Sequence, residues 1–341
     1  CALGAAQMSD DKLVPNRAQL TPAQAAELAQ TAGDAAEFIR AARSANTLKA
    51  YQHDWAQFVA WVEKHGLEAL PADPRMVALW LSHMARRLER KPSSIKRMLT
   101  TISVMHRRAG LPNPADAEIV REELRGIQNT LGTRPKRAAP LLIAHLEGVI
   151  GSMGTDIRAA RNRAIVLVGW SGAMRRSELA ALQAEDVAFL DRGARVLIGR
   201  SKTDQKGAGE YVALFYATRT ALCPVKALQA WLREAHIERG PLFRRMTRSR
   251  SRPLVLSDAM PARQVDYVVR RYTAKAGVQP EQLGDTFSAH SLRAGFITEA
   301  ARKGKPEWSI ARQSRHKSAD VLRSYIRVAD VFSDNAGEDL L

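Results

Sequence analysis

The sequence predicts a mainly α-helical protein of two domains, with a small β-sheet in the second domain. Its 341 residues exceed one average domain and are enough for two sizeable cores. Apolar residues recur at helical spacing through most of the chain, and they alternate as in strands only between residues 194 and 216. A basic stretch that contains Gly and Pro, residues 132–140, separates two periodic regions and is the predicted linker.

The first domain is predicted to be a helical bundle over residues 43–131. Residues 1–42 are rich in Ala and Gln and are expected to form a flexible N-terminal arm. Prolines at Pro74, Pro92 and Pro114 open the second, third and fourth helices. The first helix has four apolar residues at helical spacing after a polar N-cap: Tyr51, Trp55, Phe58 and Val62, with Asn46 or Thr47 as the cap.

The second domain is predicted over residues 141–328. Residues 329–341 are a tail whose apolar residues and acidic neighbours favour a helix that docks on another subunit over a frayed terminus. Two strands, 194–199 and 211–216, are joined by a turn-rich loop. We find no internal repeat in the sequence. The predicted helices of this domain are 143–152, 158–171, 175–183, 224–236, 258–276, 289–303, 306–313 and 318–326.

The charge of the chain indicates a polyanionic partner. The formal net charge is +17 and the pI is about 10.4. No apolar run approaches the roughly 20 residues of a membrane-spanning helix, and no signal segment opens the chain, so we expect an intracellular protein with no membrane partner. Two cysteines and eight scattered histidines provide no metal-ligand spacing, and no phosphate-binding Gly-rich loop occurs. We therefore expect neither a metal nor a cofactor.

The first group of ionisable residues lies in SGAMRRSEL. Arg175 precedes Glu178 by three residues at the start of a helix, so the two side chains are on one face and can pair. Such a pair is usually a solvated surface bridge. The apolar run AIVLVGW just before it favours a buried helix that delivers Arg175 to the interior. Arg176 is adjacent, and its position alone does not exclude it as the arginine of this group in place of Arg175.

Two further groups lie near the end of the chain. His290 and Arg293 are one helical turn apart in HSLRAGFIT, and His316 precedes Tyr325 by nine residues in a basic segment. Each group alone is better explained as a polar first turn of a helix or as a buried aromatic residue.

Taken in order, the three groups resemble the tyrosine recombinases of the phage integrase type. Arg175 matches the first arginine box of that family, His290 and Arg293 match the second, and Tyr325, in SYIR, matches the nucleophile. His316 matches the position that the family fills with His or Trp. Lys202, in GRSKTDQKG, lies where the family has a catalytic lysine on a β-hairpin, although Lys206 is on the same loop. The segment from Ser44 to Gly66 is similar to the family's first N-terminal helix, so the resemblance covers about residues 43–330.

The resemblance implies a mechanism that elementary chemistry supports. Cleavage of a phosphodiester needs a nucleophile, charge neutralisation at the non-bridging oxygens, and a proton for the leaving oxygen. Arg175 and Arg293 suit the second task, because guanidinium groups stay charged and match phosphate geometry. Tyr325 is the nucleophile and Lys202 the candidate acid, while His290 exchanges a proton with Tyr325. Two further roles follow: His316 donates to the phosphate, and Glu178 orients Arg175 or a nearby histidine.

The fold and assembly that the resemblance implies are a C-shaped clamp of two domains around duplex DNA. The N-terminal domain would be SAM-like, and a homo-tetramer would hold two inverted-repeat sites, with an accessory directionality protein as a further partner. Alternatives are a type IB topoisomerase, a telomere resolvase, and a DNA-binding factor that no longer cleaves. The helical N-terminal domain disfavours the topoisomerase, and the chain length disfavours the telomere resolvase. The intact motif set disfavours a factor that no longer cleaves.

Basic residues outside the motifs are candidates for phosphate contact. They lie on the third predicted helix, which we expect to enter or flank a major groove, and in the linker. The run FRRMTRSRSR, residues 243–252, is equally compatible with a solvated loop and with phosphate contact. The candidate DNA-binding residues are Lys96, Arg97, Arg107, Arg108, Arg134, Lys136 and Arg137.

Overall fold

The computed structural model describes residues 21–132, 138–199, 209–249, 253–280 and 285–320, together with 322, 323 and 325. The chain divides into two compact units, residues 1–135 and 136–341. The linker predicted at 132–140 includes this division point.

Over its described residues, 21–132, the first unit contains five α-helices. They are α1 (Pro22–Ala41), α2 (Ala45–Glu63), α3 (Pro74–Arg86), α4 (Pro92–Ala109) and α5 (Glu118–Leu131). The core shared by α2, α3, α4 and α5 contains Phe58, Val62, Leu81, Met84, Ile95 and Val120, each fully buried. The predicted arm, residues 1–42, thus includes a helix over 22–41, and its first 20 residues lie outside the described part of the chain.

Two local expectations for this unit are wrong. The N-cap of α2 is Ser44, whose hydroxyl accepts a hydrogen bond from the Thr47 amide at 3.2 Å, and not Asn46 or Thr47. The serine is favoured because its Oγ reaches an unpaired amide of the first turn. In addition, Pro114 begins a 3₁₀ turn, and the α-helix after it starts only at Glu118.

The second unit contains seven α-helices and five strands among the described residues. The helices are α6 (Ile143–Gly151), α7 (Ile157–Ser171), α8 (Arg176–Ala181), α9 (Pro224–Glu234), α10 (Arg263–Lys275), α11 (His290–Arg302) and α12 (Glu307–Ser314). The strands are β1 (Val187–Leu190), β2 (Gly193–Ile198), β3 (Glu210–Phe215), β4 (Arg244–Met246) and β5 (Val255–Ala259). Residues 319, 320, 322, 323 and 325 are helical as well.

Two small antiparallel sheets flank the helical core. Strands β1, β2 and β3 pair in that order, so the two predicted strands are confirmed and a third is added. Strands β4 and β5 form a separate hairpin. The helix predicted from residue 258 therefore begins only at Arg263, because the residues before it pair as β5.

Helix α7 is the centre of this unit and positions the site. Most of its residues from Ala159 to Gly169 are buried on all sides, as the apolar run predicted. It ends at Ser171, and the turn Gly172–Ala173 leads directly to Arg175, the N-cap of α8. No helix of the described residues is long and apolar enough to cross a membrane.

Candidate active site

Arg175 and Glu178 form the predicted pair at the start of α8. Arg175 Nη1 lies 2.5 Å from Glu178 Oε1, and the Arg175 amide donates to Oε2 at 2.9 Å. The Glu178 side chain is fully buried, whereas that of Arg175 is 20% exposed. The neighbouring Arg176 instead pairs with Asp266 at the surface. The geometry thus separates the two arginines and places Arg175 beside the buried carboxylate.

Arg293 on α11 joins this group although it is buried. Its Nη1 donates to the Ala173 carbonyl at 2.8 Å, and its Nη2 lies 3.2 Å from both ring nitrogens of His316. Burial, and then the positive charges of Arg175 and Arg315, lower the pKa of Arg293 to about 9. The guanidinium therefore remains charged at neutral pH and is surrounded by other cations, which favours an anion at this place.

His290 contacts Tyr325 at the open side of the cluster. The His290 Nε2 and the Tyr325 hydroxyl are 2.5 Å apart. His290 is exposed at one edge, yet desolvation by the surrounding protein, and then Arg293 and Arg175, lower its pKa below the usual value. A neutral imidazole has a lone pair, so His290 can accept the proton of the tyrosine.

The Tyr325 ring is held by packing as well. It lies against a small cluster of buried residues on α11, α12 and the last helical residues: Ile297, Ile310 and Leu322. The ring centroids of His316 and Tyr325 are 5.9 Å apart. The structure thus brings together Arg175, Glu178, His290, Arg293, His316 and Tyr325.

His316 is a neutral member of the cluster. Burial, and then Arg293 and Arg175, lower its pKa to about 3. Ser314 Oγ lies 2.8 Å from His316 Nδ1 and fixes the orientation of the ring. The Ser314 hydroxyl donates to the Ile310 carbonyl at 2.6 Å, so it accepts from His316 Nδ1–H, and the neutral ring has its lone pair on Nε2.

Sequence reasoning missed Arg315 and Asp266. Arg315 is buried next to His316 and donates to Glu178 Oε2 at 2.8 Å. It lies in the basic segment around His316, where the sequence offered no sign of burial. Asp266 on α10 accepts from the Ala289 amide at 2.9 Å and pairs with Arg176, so one carboxylate braces the starts of α8 and α11.

Several predicted residues lie outside the described part of the chain. They are Lys202, Lys206, Arg134, Lys136 and Arg137. The choice between the two lysines therefore stays open. Within the described residues, no group of three or more His, Cys, Asp or Glu side chains could hold a metal ion.

The four basic candidates of the first unit all lie on α4 but differ in environment. Lys96 is exposed, whereas Arg97 donates from Nε and Nη2 to the buried Asp54 at 2.8 and 2.9 Å. Arg107 donates to the Ser103 carbonyl at 3.3 Å, and Arg108 is partly buried. Arg97 thus has a structural role in addition to the predicted DNA contact.

The basic run 243–252 is partly a structured hairpin. Arg158 donates to the Thr247 and Ser249 carbonyls at 3.0 and 2.8 Å, and Arg161 donates to the Arg244 carbonyl at 2.9 Å. Of the two alternatives given for this run, the solvated loop is therefore wrong for residues 244–246, which pair with β5, and phosphate contact stays a prediction. Residues 250–252 lie outside the described residues.

Comparisons with known proteins place this arrangement in a family. Residues 142–331 match the sequence model of the phage integrase family, and residues 37–109 match the phage integrase N-terminal SAM-like domain. An integrase/recombinase XerD homolog of Selenomonas ruminantium is 37% identical over 303 residues, which are 87% of this chain and 86% of that protein.

The chain belongs to the phage integrase family. Like other members, it is a tyrosine-type site-specific DNA recombinase. The recombinase Cre of Escherichia phage P1 is 26% identical over 306 residues, or 85% of this chain and 86% of that protein. The predicted family and fold class, mainly α with a small sheet and a SAM-like first domain, are confirmed.

Solved structures of this family share the fold. A XerH site-specific recombinase bound to palindromic difH substrate, in a post-cleavage complex, matches with a TM-score of 0.63 at 18% identity and covers 91% of this chain and 82% of that one. A lambda integrase dimer bound to a COC′ core site matches with a TM-score of 0.58 at 17% identity and covers 90% and 95%.

Proposed function

We propose that this phage integrase family member cleaves and rejoins duplex DNA through a covalent 3′-phosphotyrosyl link to Tyr325. The observation that carries the proposal is the 2.5 Å contact between the Tyr325 hydroxyl and His290 Nε2. Next to this contact lie the buried Arg293 and the partly buried Arg175. A phenol is a weak nucleophile while it holds its proton, so an adjacent base is the feature that the chemistry needs.

The first step is attack of the Tyr325 oxygen on the scissile phosphorus. His290 takes the phenolic proton, and the bond from phosphorus to the 5′ oxygen breaks as the tyrosyl bond forms. The lowered pKa of His290 keeps the imidazole unprotonated and able to act as the base.

Arg175 and Arg293 neutralise the charge that develops on the non-bridging oxygens. Both are held before substrate arrives, by Glu178 and by the Ala173 carbonyl, and such preorganisation lowers the barrier without reorganisation during the reaction. His316 donates its ring N–H to the phosphate, for which the Nδ1–H must first leave Ser314 Oγ. The departing 5′ oxygen takes its proton from Lys202, or from Lys206 if that lysine holds the position.

Rejoining is the reverse reaction, with a 5′ hydroxyl of the partner strand as the nucleophile. The phosphotyrosyl bond retains the energy of the broken phosphodiester, so ATP is not consumed, and the two arginines take the place of a metal ion. We further propose a homo-tetramer on two inverted-repeat sites, a Holliday-junction intermediate and an accessory protein that sets direction. The family membership and the relatives named XerD homolog and Cre support these steps.

The proposal is tested with a duplex nicked near the cleavage point, so that a short 5′-hydroxyl fragment diffuses away and religation is blocked. Wild-type protein should accumulate a protein–DNA adduct in EDTA without nucleotide. Tyr325→Phe removes one oxygen and retains the ring, so it should bind DNA with unchanged affinity and form no adduct.

Tyr272→Phe is the matched control. Its hydroxyl is buried on α10 and accepts a hydrogen bond from Asn162 at 3.3 Å, so removal should leave the adduct in place. An adduct formed by Tyr325→Phe, or by wild type only with Mg²⁺, would overturn the mechanism.

A further inference from the structure

Arg315 occupies a backbone conformation that suits glycine. It is the residue after α12, with φ of 57° in the left-handed region, and only 2% of its side chain is exposed. Glycine adopts this conformation readily and other residues do so at a penalty. An arginine at such a position, and buried, requires compensating contacts of its side chain.

The guanidinium of Arg315 makes those contacts. Nη1 donates to the Gly172 carbonyl at 3.1 Å and to the Gln313 carbonyl at 2.7 Å. Nη2 donates to the Ala173 carbonyl at 3.2 Å and to Glu178 Oε2 at 2.8 Å. Arg315 therefore joins the end of α12 to the turn that precedes α8.

That turn positions both arginines proposed to bind the phosphate. The Ala173 carbonyl accepts from Arg293 as well as from Arg315. Two residues later, Arg175 is the N-cap of α8. A displacement of the turn would thus move the acceptor of Arg293 and the backbone of Arg175 together.

The negative charge of Glu178 is shared between Arg175 and Arg315. Its Oε1 pairs with Arg175 and its Oε2 pairs with Arg315. With Arg315 present, the carboxylate is balanced by a guanidinium that solvent does not reach. Without Arg315, the same carboxylate would draw more strongly on Arg175 and oppose its interaction with a phosphate.

We propose that Arg315 is a positioning residue for strand cleavage: it fixes the turn at Gly172 and Ala173 and balances Glu178, so that Arg175 stays available to the scissile phosphate. Its side chain is too buried to touch DNA itself. The proposal rests on the phosphotyrosyl mechanism given above.

The test compares Arg315→Gly, which relieves the backbone conformation while removing the guanidinium, with the double variant Arg315→Gly/Glu178→Gln. Adduct formation on the nicked duplex is followed at saturating DNA, DNA affinity is measured separately, and thermal melting reports folding. Arg315→Gly should slow adduct formation by about 10²-fold, the lower end for loss of one group that stabilises transition-state charge, and affinity should change by less than about threefold. Arg219→Gln, an exposed arginine of the same unit that pairs with Glu147, is the control and should react at the wild-type rate.

The second substitution separates positioning from folding. Glu178→Gln removes the unbalanced carboxylate, so the double variant should recover about tenfold of the lost rate. A purely structural arginine would leave the double variant no faster than Arg315→Gly, and that result would overturn the proposal, as would wild-type rates in Arg315→Gly. If Arg315→Gly does not fold, Arg315→Gln and Arg315→Gln/Glu178→Gln are compared under the same criteria. A wild-type protein that forms no adduct would overturn the mechanism and this proposal together, whereas an active wild type with unaffected Arg315 variants would overturn this proposal alone.

Discussion

Substitution of Gly295 by alanine tests how α11 is held in place. A β-carbon added at Gly295 would lie 2.0 Å from the Leu141 carbonyl oxygen and 2.8 Å from Trp170 Nε1. These two atoms are hydrogen bonded to each other at 2.7 Å. The Leu141 amide also donates to the Ser291 carbonyl at 3.0 Å, so the segment before α6 is attached to α11 at this point.

The expected destabilisation combines two effects. Overpacking a close contact costs about 1–3 kcal/mol, and separating the partly buried Trp170–Leu141 hydrogen bond costs about 1–3 kcal/mol more. Alanine recovers about 1 kcal/mol through its helix propensity. We expect Gly295→Ala to lower the free energy of unfolding by about 1–5 kcal/mol and to lower the melting temperature of this unit by about 2–20 °C.

Gly148→Ala is the matched control, because it makes the same chemical change inside α6. The added β-carbon would lie 3.8 Å from Ala276 Cβ, which is an ordinary contact. This variant should be as stable as wild type or more stable by up to about 1 kcal/mol. Thermal and urea unfolding of both variants measure the difference. Equal melting temperatures for the two variants would refute the close-contact argument.

Three further predictions concern charge and protonation. The rate of adduct formation should be independent of pH above about 6.5 and fall only below it, because the pKa of His290 is lowered from its usual value. Arg97→Ala should reduce the free energy of unfolding by roughly 2–3 kcal/mol, because it leaves the Asp54 carboxylate buried without its ion pair, while the half-exposed arginine limits the effect. Burial lowers the pKa of His106, so the neutral form is favoured in the folded state. The contribution of His106 to the free energy of unfolding is therefore complete above the unfolded pKa of about 6.5, and it is lost as the pH falls below that value.

Each of these has its own control. A His290→Ala variant should lose the pH dependence together with most of the rate, and an unchanged acid limb would point to another group. Lys96→Ala, the exposed neighbour on α4, should change the stability by less than about 0.5 kcal/mol, so its effect on DNA binding can be interpreted directly. In His106→Gln, the unfolding midpoint should change less between pH 5 and 7 than it does in the wild type. The fold should be retained, because His106 Nε2 accepts from the Ala72 amide and a glutamine oxygen can replace it. A midpoint in the wild type that does not change over this range would contradict the assignment.

Local sequence rules predicted the elements whose formation depends on a repeating apolar face. The buried residues of α2 and the all-apolar run of α7 are of this kind, and the prolines at the starts of α3 and α4 marked those boundaries. Strand β4 could not be predicted in this way. Its residues are Arg, Arg and Met, and it forms because β5 pairs with it and Arg161 binds the Arg244 carbonyl from α7.

The candidate site likewise contains residues that the sequence predicted and one, Arg315, that it did not. Motif order brought Arg175, His290, Arg293 and Tyr325 into one hypothesis, and the short contact between His290 and Tyr325 agrees with it. Arg315 was missed because its partner Glu178 lies 137 residues away in the chain. Nothing within the segment around Arg315 distinguishes a buried guanidinium from an exposed one.

The oxygen that Arg293 and Arg315 share at Ala173 belongs to the main chain, and this sets what can vary at that position. No change of side chain can delete a peptide carbonyl, so the anchor for two guanidiniums survives any substitution that the backbone accepts. Ala173 is fully buried with φ of 45°, so glycine fits there and a β-branched residue does not. The residue at position 173 is therefore limited by side-chain size and backbone conformation. A sequence alignment scored by side-chain chemistry would not reveal the carbonyl oxygen that both arginines bind.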